Sequence, residues 1–158
     1  MRCLVIRHAP AESGFPDAER PLSAAGAGLM RQLRGALQAL VPDLMLIAHS
    51  PLRRARETAA LLAEVYAVPL CETDALAPGR LDGLSAWLAG QAGPLALVGH
   101  EDDLSYWTCH MLTGLAGRFF VFERAGACLL EFPGLPRPGG GRLHWLMAPE
   151  HLARMARR

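Results

Sequence analysis

What this sequence lacks sets its limits first. No uninterrupted apolar stretch approaches the ~18 residues that a membrane-spanning helix needs, and the chain enters a strand-like pattern at once, without a cleavable leader. A cytoplasmic protein is expected. Charge of one sign is equally scarce: Lys and Arg total 16 against 15 Asp and Glu, interspersed, for a net charge of +1. Neither a nucleic-acid partner nor a membrane surface is therefore expected. The cysteines Cys3, Cys71, Cys109 and Cys128 are far apart and form no C-x-x-C pair, which argues against a zinc site and a disulfide framework. They read as reduced core residues. Internal repeats are absent, and the Gly/Pro stretch from Pro133 to Gly141 is the only low-complexity segment.

What is present describes one domain spanning residues 1–158, long enough to bury a proper core. Short apolar runs alternate with helical periodicity over the first two thirds. Strands are predicted at Leu4–Ile6, Leu44–His49, Val68–Glu72 and Leu95–Gly99. The intervening helices run from Ser23, a plausible N-cap, to Leu40; from Ser50 and Pro51 to Tyr66; from Leu81 to Ala89; and from the acidic turn at Glu101–Asp103 to Gly114. Ala9–Arg20 reads as a loop. Further strands are expected at Phe119–Phe122, Ala127–Phe132 and Leu143–Met147, and a last helix at Glu150–Ala156. The implied fold is α/β: a single-domain three-layer α/β/α sandwich with a mostly parallel sheet and an antiparallel C-terminal hairpin at the edge.

Three of these strands end in the same way. Leu4-Val5-Ile6 runs into Arg7-His8, Leu46-Ile47-Ala48 into His49-Ser50 followed by Arg53-Arg54, and Leu97-Val98-Gly99 into His100. Ligands of open parallel sheets bind outside the carboxyl ends of the strands, so these ends are placed to converge on one anion. A neutral imidazole is a good nucleophile at phosphorus, and neighbouring guanidinium groups disfavour its protonation. Arg53, Arg54 and Arg56 sit in the first turns of a helix, against the preference of the helix dipole. That choice suits an anion held by backbone N–H groups, the Ser50 hydroxyl and a planar guanidinium. Arg53 and Arg56 read as solvated surface, which leaves Arg54. His100 is positioned to donate a hydrogen bond to a transferring phosphoryl group. The spacing of His49, His110, His144 and His151 does not suggest metal ligands.

These motifs resemble those of the histidine phosphatase superfamily, the phosphoglycerate mutase-like proteins. Arg7-His8-Ala9 is similar to its R-H-G signature, with alanine in place of glycine; Ser50 to Ala59 matches S-P-L-x-R-A-x-x-T-A; Gly99-His100 matches its second histidine. Arg20-Pro21-Leu22-Ser23, Leu76-Ala77-Pro78 and the closing Trp145 to Met155 resemble segments of its small bacterial phosphohistidine phosphatases. The resemblance implies that His8 accepts the phosphoryl group, that His100 stabilises the transition state, and that Arg7 and Arg54 clamp the phosphate, with Arg20 joining them in substrate binding, beside the Ser50 hydroxyl already read as a substrate-binding group. Neither metal nor other cofactor is implied.

The segment after Glu72 lacks the stretch with which the mutases place their proton donor. Glu101, Asp17 and Glu19 are the remaining candidates for that role. Expelling an alkoxide needs such a donor, whereas a phosphoramidate can leave as neutral imidazole once protonated. The expected partner is therefore a phosphorylated protein, such as a histidine-phosphotransfer domain. A phosphatase of small metabolite or nucleotide esters is the alternative, and a non-catalytic phosphate-binding adaptor ranks last.

Overall fold

A computed structural model describes residues 1–157. Six strands form one sheet: β1 (Arg2–Arg7), β2 (Leu46–His49), β3 (Leu70–Glu72), β4 (Leu95–Gly99), β5 (Ala127–Glu131) and β6 (Arg142–Met147), in spatial order β3-β2-β4-β1-β5-β6. The first four run parallel, whereas β5 pairs antiparallel with β1 and β6 antiparallel with β5. The expected mixed sheet with its C-terminal hairpin is thus observed.

Alternation along β1 sorts the core into two layers, because successive side chains of a strand face opposite sides. Leu4 and Ile6 pack beneath helices α1 (Ala24–Leu40), α2 (Arg53–Tyr66) and α5 (Pro149–Met155), together with Met30, Leu33, Leu37, Leu62 and Leu152. Cys3 and Val5 face α3 (Leu84–Ala89) and α4 (Asp103–Thr113) with Leu88, Leu104, Trp107 and Met111. Helix α1 begins where expected: the Ser23 side chain accepts from the Gly26 N–H at 3.0 Å. Gly26 also seats the loop over the strand ends, since a Cβ there would lie 1.9 Å from the Pro10 carbonyl oxygen. Gly114 closes α4 in the left-handed region that glycine tolerates.

Three expectations need correction. Ser50 does not cap α2: the helix begins at Arg53 with Leu52 as an N-cap that supplies no side-chain bond. Phe119–Phe122 is not a strand. Its aromatic rings pack edge-on, Phe119 with Phe120 and Phe120 with Phe122, while the Phe122 backbone bonds to side chains rather than to a ladder. Cys3, Cys109 and Cys128 are buried thiols, but Cys71 on β3 is only half-buried and so is not a core residue. Among the described residues no helix is long and apolar enough to cross a membrane.

Candidate active site

The parallel register explains why the site assembles. Arg7 stands opposite Gly99, and His49 opposite Val98, so β1, β2 and β4 end at one level. The backbone then continues that alignment: the His8 N–H donates to the Gly99 carbonyl and the Ser50 N–H to the Val98 carbonyl, each at 3.0 Å. His8, Ser50 and His100 are delivered as immediate neighbours, and the His8 and His100 ring centroids lie 5.1 Å apart.

Hydrogen bonds orient both rings. His8 Nδ1 lies 2.8 Å from its neighbour's carbonyl, that of Ala9; since a carbonyl only accepts, Nδ1 carries the proton and Nε2 presents its lone pair. Arg54 Nε stands 3.3 Å from that same Nε2. On the far side, His100 Nε2 is 2.7 Å from the Ser50 hydroxyl, and His100 Nδ1 is buried without a protein partner. Ser50, fully buried, thereby serves the second histidine and also receives the Leu52 N–H. The serine was legible as a polar residue at the helix entrance; its partner, 50 positions away in sequence, was not.

Thr58 has a structural job that its sequence neighbourhood does not disclose. Its fully buried hydroxyl receives the Ala9 N–H at 3.1 Å and donates to the Arg54 carbonyl at 2.7 Å, tying the loop after His8 to the first turn of α2. The threonine of the S-P-L-x-R-A-x-x-T-A match was the available signal. Arg54 itself is buried, and its remaining donors go to the loop: Nη1 to the Asp17 carbonyl at 2.8 Å and Nη2 to the Asp17 carboxylate at 3.1 Å. Arg20 joins this arrangement through Asp17 at 2.8 Å and through the Glu12 carbonyl. Arg7 donates from Nη1 to the Phe122 carbonyl at 2.6 Å, while its Nε is buried without a partner. Arg53 pairs with Glu57, and Arg56 is exposed, as expected for surface arginines.

The candidate proton donors are placed differently from one another. Asp17 is bonded to both Arg20 and Arg54, and the Arg20 bond foremost holds its carboxyl below the ordinary aspartate value. The Glu101 side chain is buried and engaged with Phe122, Ser105 and Arg118. Glu19 is exposed, on a short 3₁₀ turn that begins at Asp17.

Both site histidines are kept neutral. Burial lowers His8 to about 4; the Ala9 bond opposes this, and Arg54 and Arg7 add to it. Burial lowers His100 to about 3, with His8 and Arg54 contributing. The sequence pointed to the arginines as the cause, but exclusion from water is the larger one. The consequence for stability has a definite sign. Unfolded rings bind protons near pH 6.5 while folded ones refuse them, so stability is complete above that value and falls as pH drops toward the folded values. By pH 5 the loss is about 2 kcal/mol for each ring. Urea midpoints measured at pH 7.5, 6 and 5 are expected to fall in that order, and less steeply in His100→Asn. A midpoint unchanged between pH 7.5 and 5 would contradict the buried neutral pair.

With this geometry in place, comparison with known proteins assigns the class. Residues 3–92 match the model of the histidine phosphatase superfamily (branch 1), more than half of the chain, and the protein belongs to that superfamily. An uncharacterized protein of a Picosynechococcus species is 35% identical over 116 residues, 70% of each chain. Among solved structures, the protein histidine phosphatase SixA complexed with tungstate superposes with a TM-score of 0.84 at 21% identity, over 96% of this chain and 99% of that one. A mycobacterial glucosyl-3-phosphoglycerate phosphatase gives 0.69 at 18% identity, over 93% and 98%. The alpha-ribazole phosphatase of Shigella flexneri gives 0.67 at 18%, over 94% and 97%. Family membership supports phosphatase activity, and the structural likenesses define the fold.

Proposed function

We propose that the protein is a phosphatase that works through a phosphohistidine intermediate and removes phosphate from histidine on proteins. His8 Nε2 attacks phosphorus while Nδ1 keeps its proton against the Ala9 carbonyl. The new N–P bond forms as the bond to the leaving group breaks, and the electron pair departs with that group. Water then attacks the phosphoenzyme, and the N–P electrons return to His8 as the neutral ring. Arg7 and Arg54 hold the equatorial oxygens, and His100 donates from Nδ1 in the tautomer whose Nε2 receives the Ser50 hydroxyl. Arg7 Nε and His100 Nδ1, buried nitrogens without protein partners among the described residues, are groups that an oxyanion would satisfy.

One observation carries the choice of substrate: the Asp17 and Glu101 carboxyl groups are each engaged by other partners. Asp17 is held as a carboxylate between two guanidiniums, and the Glu101 carboxyl is bound to other groups. An alkoxide would leave unaided, at high cost, whereas a phosphohistidine protonated on its far nitrogen leaves as neutral imidazole. A second reading, hydrolysis of small phosphate esters, draws support from the fold likeness to the glucosyl-3-phosphoglycerate and alpha-ribazole phosphatases.

The two are separated by offering a histidine-phosphotransfer domain labelled on histidine and, in parallel, a panel of small phosphate esters. Label is expected to leave the domain in the presence of EDTA as fast as without it. Turnover confined to the esters would move the assignment to the second reading, and inertness toward both would favour a binding module.

A further inference from the structure

Glu101 follows His100 directly, a position from which a carboxyl could serve as proton donor, yet its surroundings describe a different task. Its side chain is 5% exposed. One carboxylate oxygen lies 3.2 Å from the Phe122 N–H, and the other meets the Ser105 hydroxyl and, at 3.7 Å, the Arg118 guanidinium. Phe122 is itself buried, and its carbonyl receives Arg7 Nη1 at 2.6 Å. The two backbone groups of one residue therefore link the carboxylate to the phosphate clamp. Because this segment joins no sheet, Glu101 replaces the ladder bond that a strand would have supplied to Phe122. Arg118 closes the far side, bonded to the Asp102 carboxylate and lying over the Tyr106 ring.

We propose that Glu101 is a positioning residue: its carboxyl anchors the Phe122 backbone so that the Phe122 carbonyl aims the Arg7 guanidinium at the phosphate. The proposal rests on the reading of Arg7 as a phosphate ligand. It predicts that geometry, and not the ability to give up a proton, is what position 101 must provide. Glutamine supplies that geometry: its oxygen accepts from the Phe122 N–H, and its amide donates to the Ser105 hydroxyl, whose own hydrogen has the Asp102 carbonyl at 3.0 Å. Aspartate does not, because the oxygens withdraw by about 1.5 Å, one C–C bond.

Binding of tungstate by calorimetry and kcat/KM across pH 5–9 test this in Glu101→Gln, Glu101→Asp and the Arg7→Ala background. Glu101→Asp is expected to weaken tungstate binding and lower kcat/KM by about 10- to 100-fold, the scale of a misplaced catalytic group. Glu101→Gln is expected to stay within about threefold of the wild type, with the pH profile unmoved. In Arg7→Ala, adding Glu101→Asp should cost nothing more, since the group being aimed is gone. Loss of turnover in Glu101→Gln together with loss of the basic limb of the profile would make Glu101 the acid and overturn the proposal. So would a Glu101→Asp variant that binds tungstate like the wild type. Tungstate binding reads the clamp independently of turnover, so a wrong substrate assignment leaves this test decisive.

Discussion

Replacing His8 with alanine is expected to lower turnover by about 10⁴-fold or more, on the scale seen when an enzyme loses its nucleophile. The expectation follows from the lone pair on Nε2, for which the ring's other nitrogen is already committed to the Ala9 carbonyl. No neighbouring group substitutes for it: the other ring, His100, is bound through Nε2 to Ser50. The companion measurement is a trapping experiment. Wild-type protein quenched during turnover of a labelled substrate should carry phosphate that is labile to acid and stable to base, the mark of a phosphoramidate, and His8→Ala should carry none. A variant retaining more than a few per cent of the rate would show that another group attacks phosphorus.

Arg54 ranks second. Its guanidinium reaches His8 Nε2 with Nε and the Asp17 loop with both Nη atoms, three directions that only a planar fork can serve at once. Arg54→Ala is expected to cost about 10²–10³ in kcat, the effect of removing one donor to a developing oxyanion. The more telling variant is Arg54→Lys. It keeps the charge but offers a single ammonium, and it should recover less than a tenth of the lost rate. Melting temperatures measured alongside distinguish lost chemistry from lost structure. If lysine restores activity fully, charge alone matters at this position and the fork geometry is incidental.

Much of this is legible in the amino-acid sequence. Strands ending in Arg7-His8, His49-Ser50 and Gly99-His100 announced a convergent site because parallel strands with helical crossovers put all carboxyl ends on one side. Ser23 announced its helix through a local bond, three residues long. What escaped was non-local. Ser50-Pro51 has the pattern of a helix cap, and nothing nearby distinguishes a cap from a hydroxyl that turns to a histidine on another strand. Phe119–Phe122 has strand composition, but its backbone partners are side chains: Cys109 for Phe119, and Arg7 and Glu101 for Phe122. The depth of burial around His8 and His100, and with it the main cause of their neutrality, is likewise a property of the assembled layers.

The 5.1 Å between the two rings has a final implication. It is close to the ~4.8 Å that separates adjacent strands of any sheet, and the two histidines follow β1 and β4, which are such neighbours. The sheet's own repeat is therefore the ruler for this pair of rings. The loop between Ala9 and Arg20 stands outside that measure, so exchanging it for another would change what reaches the two rings while the span between them stays as it is.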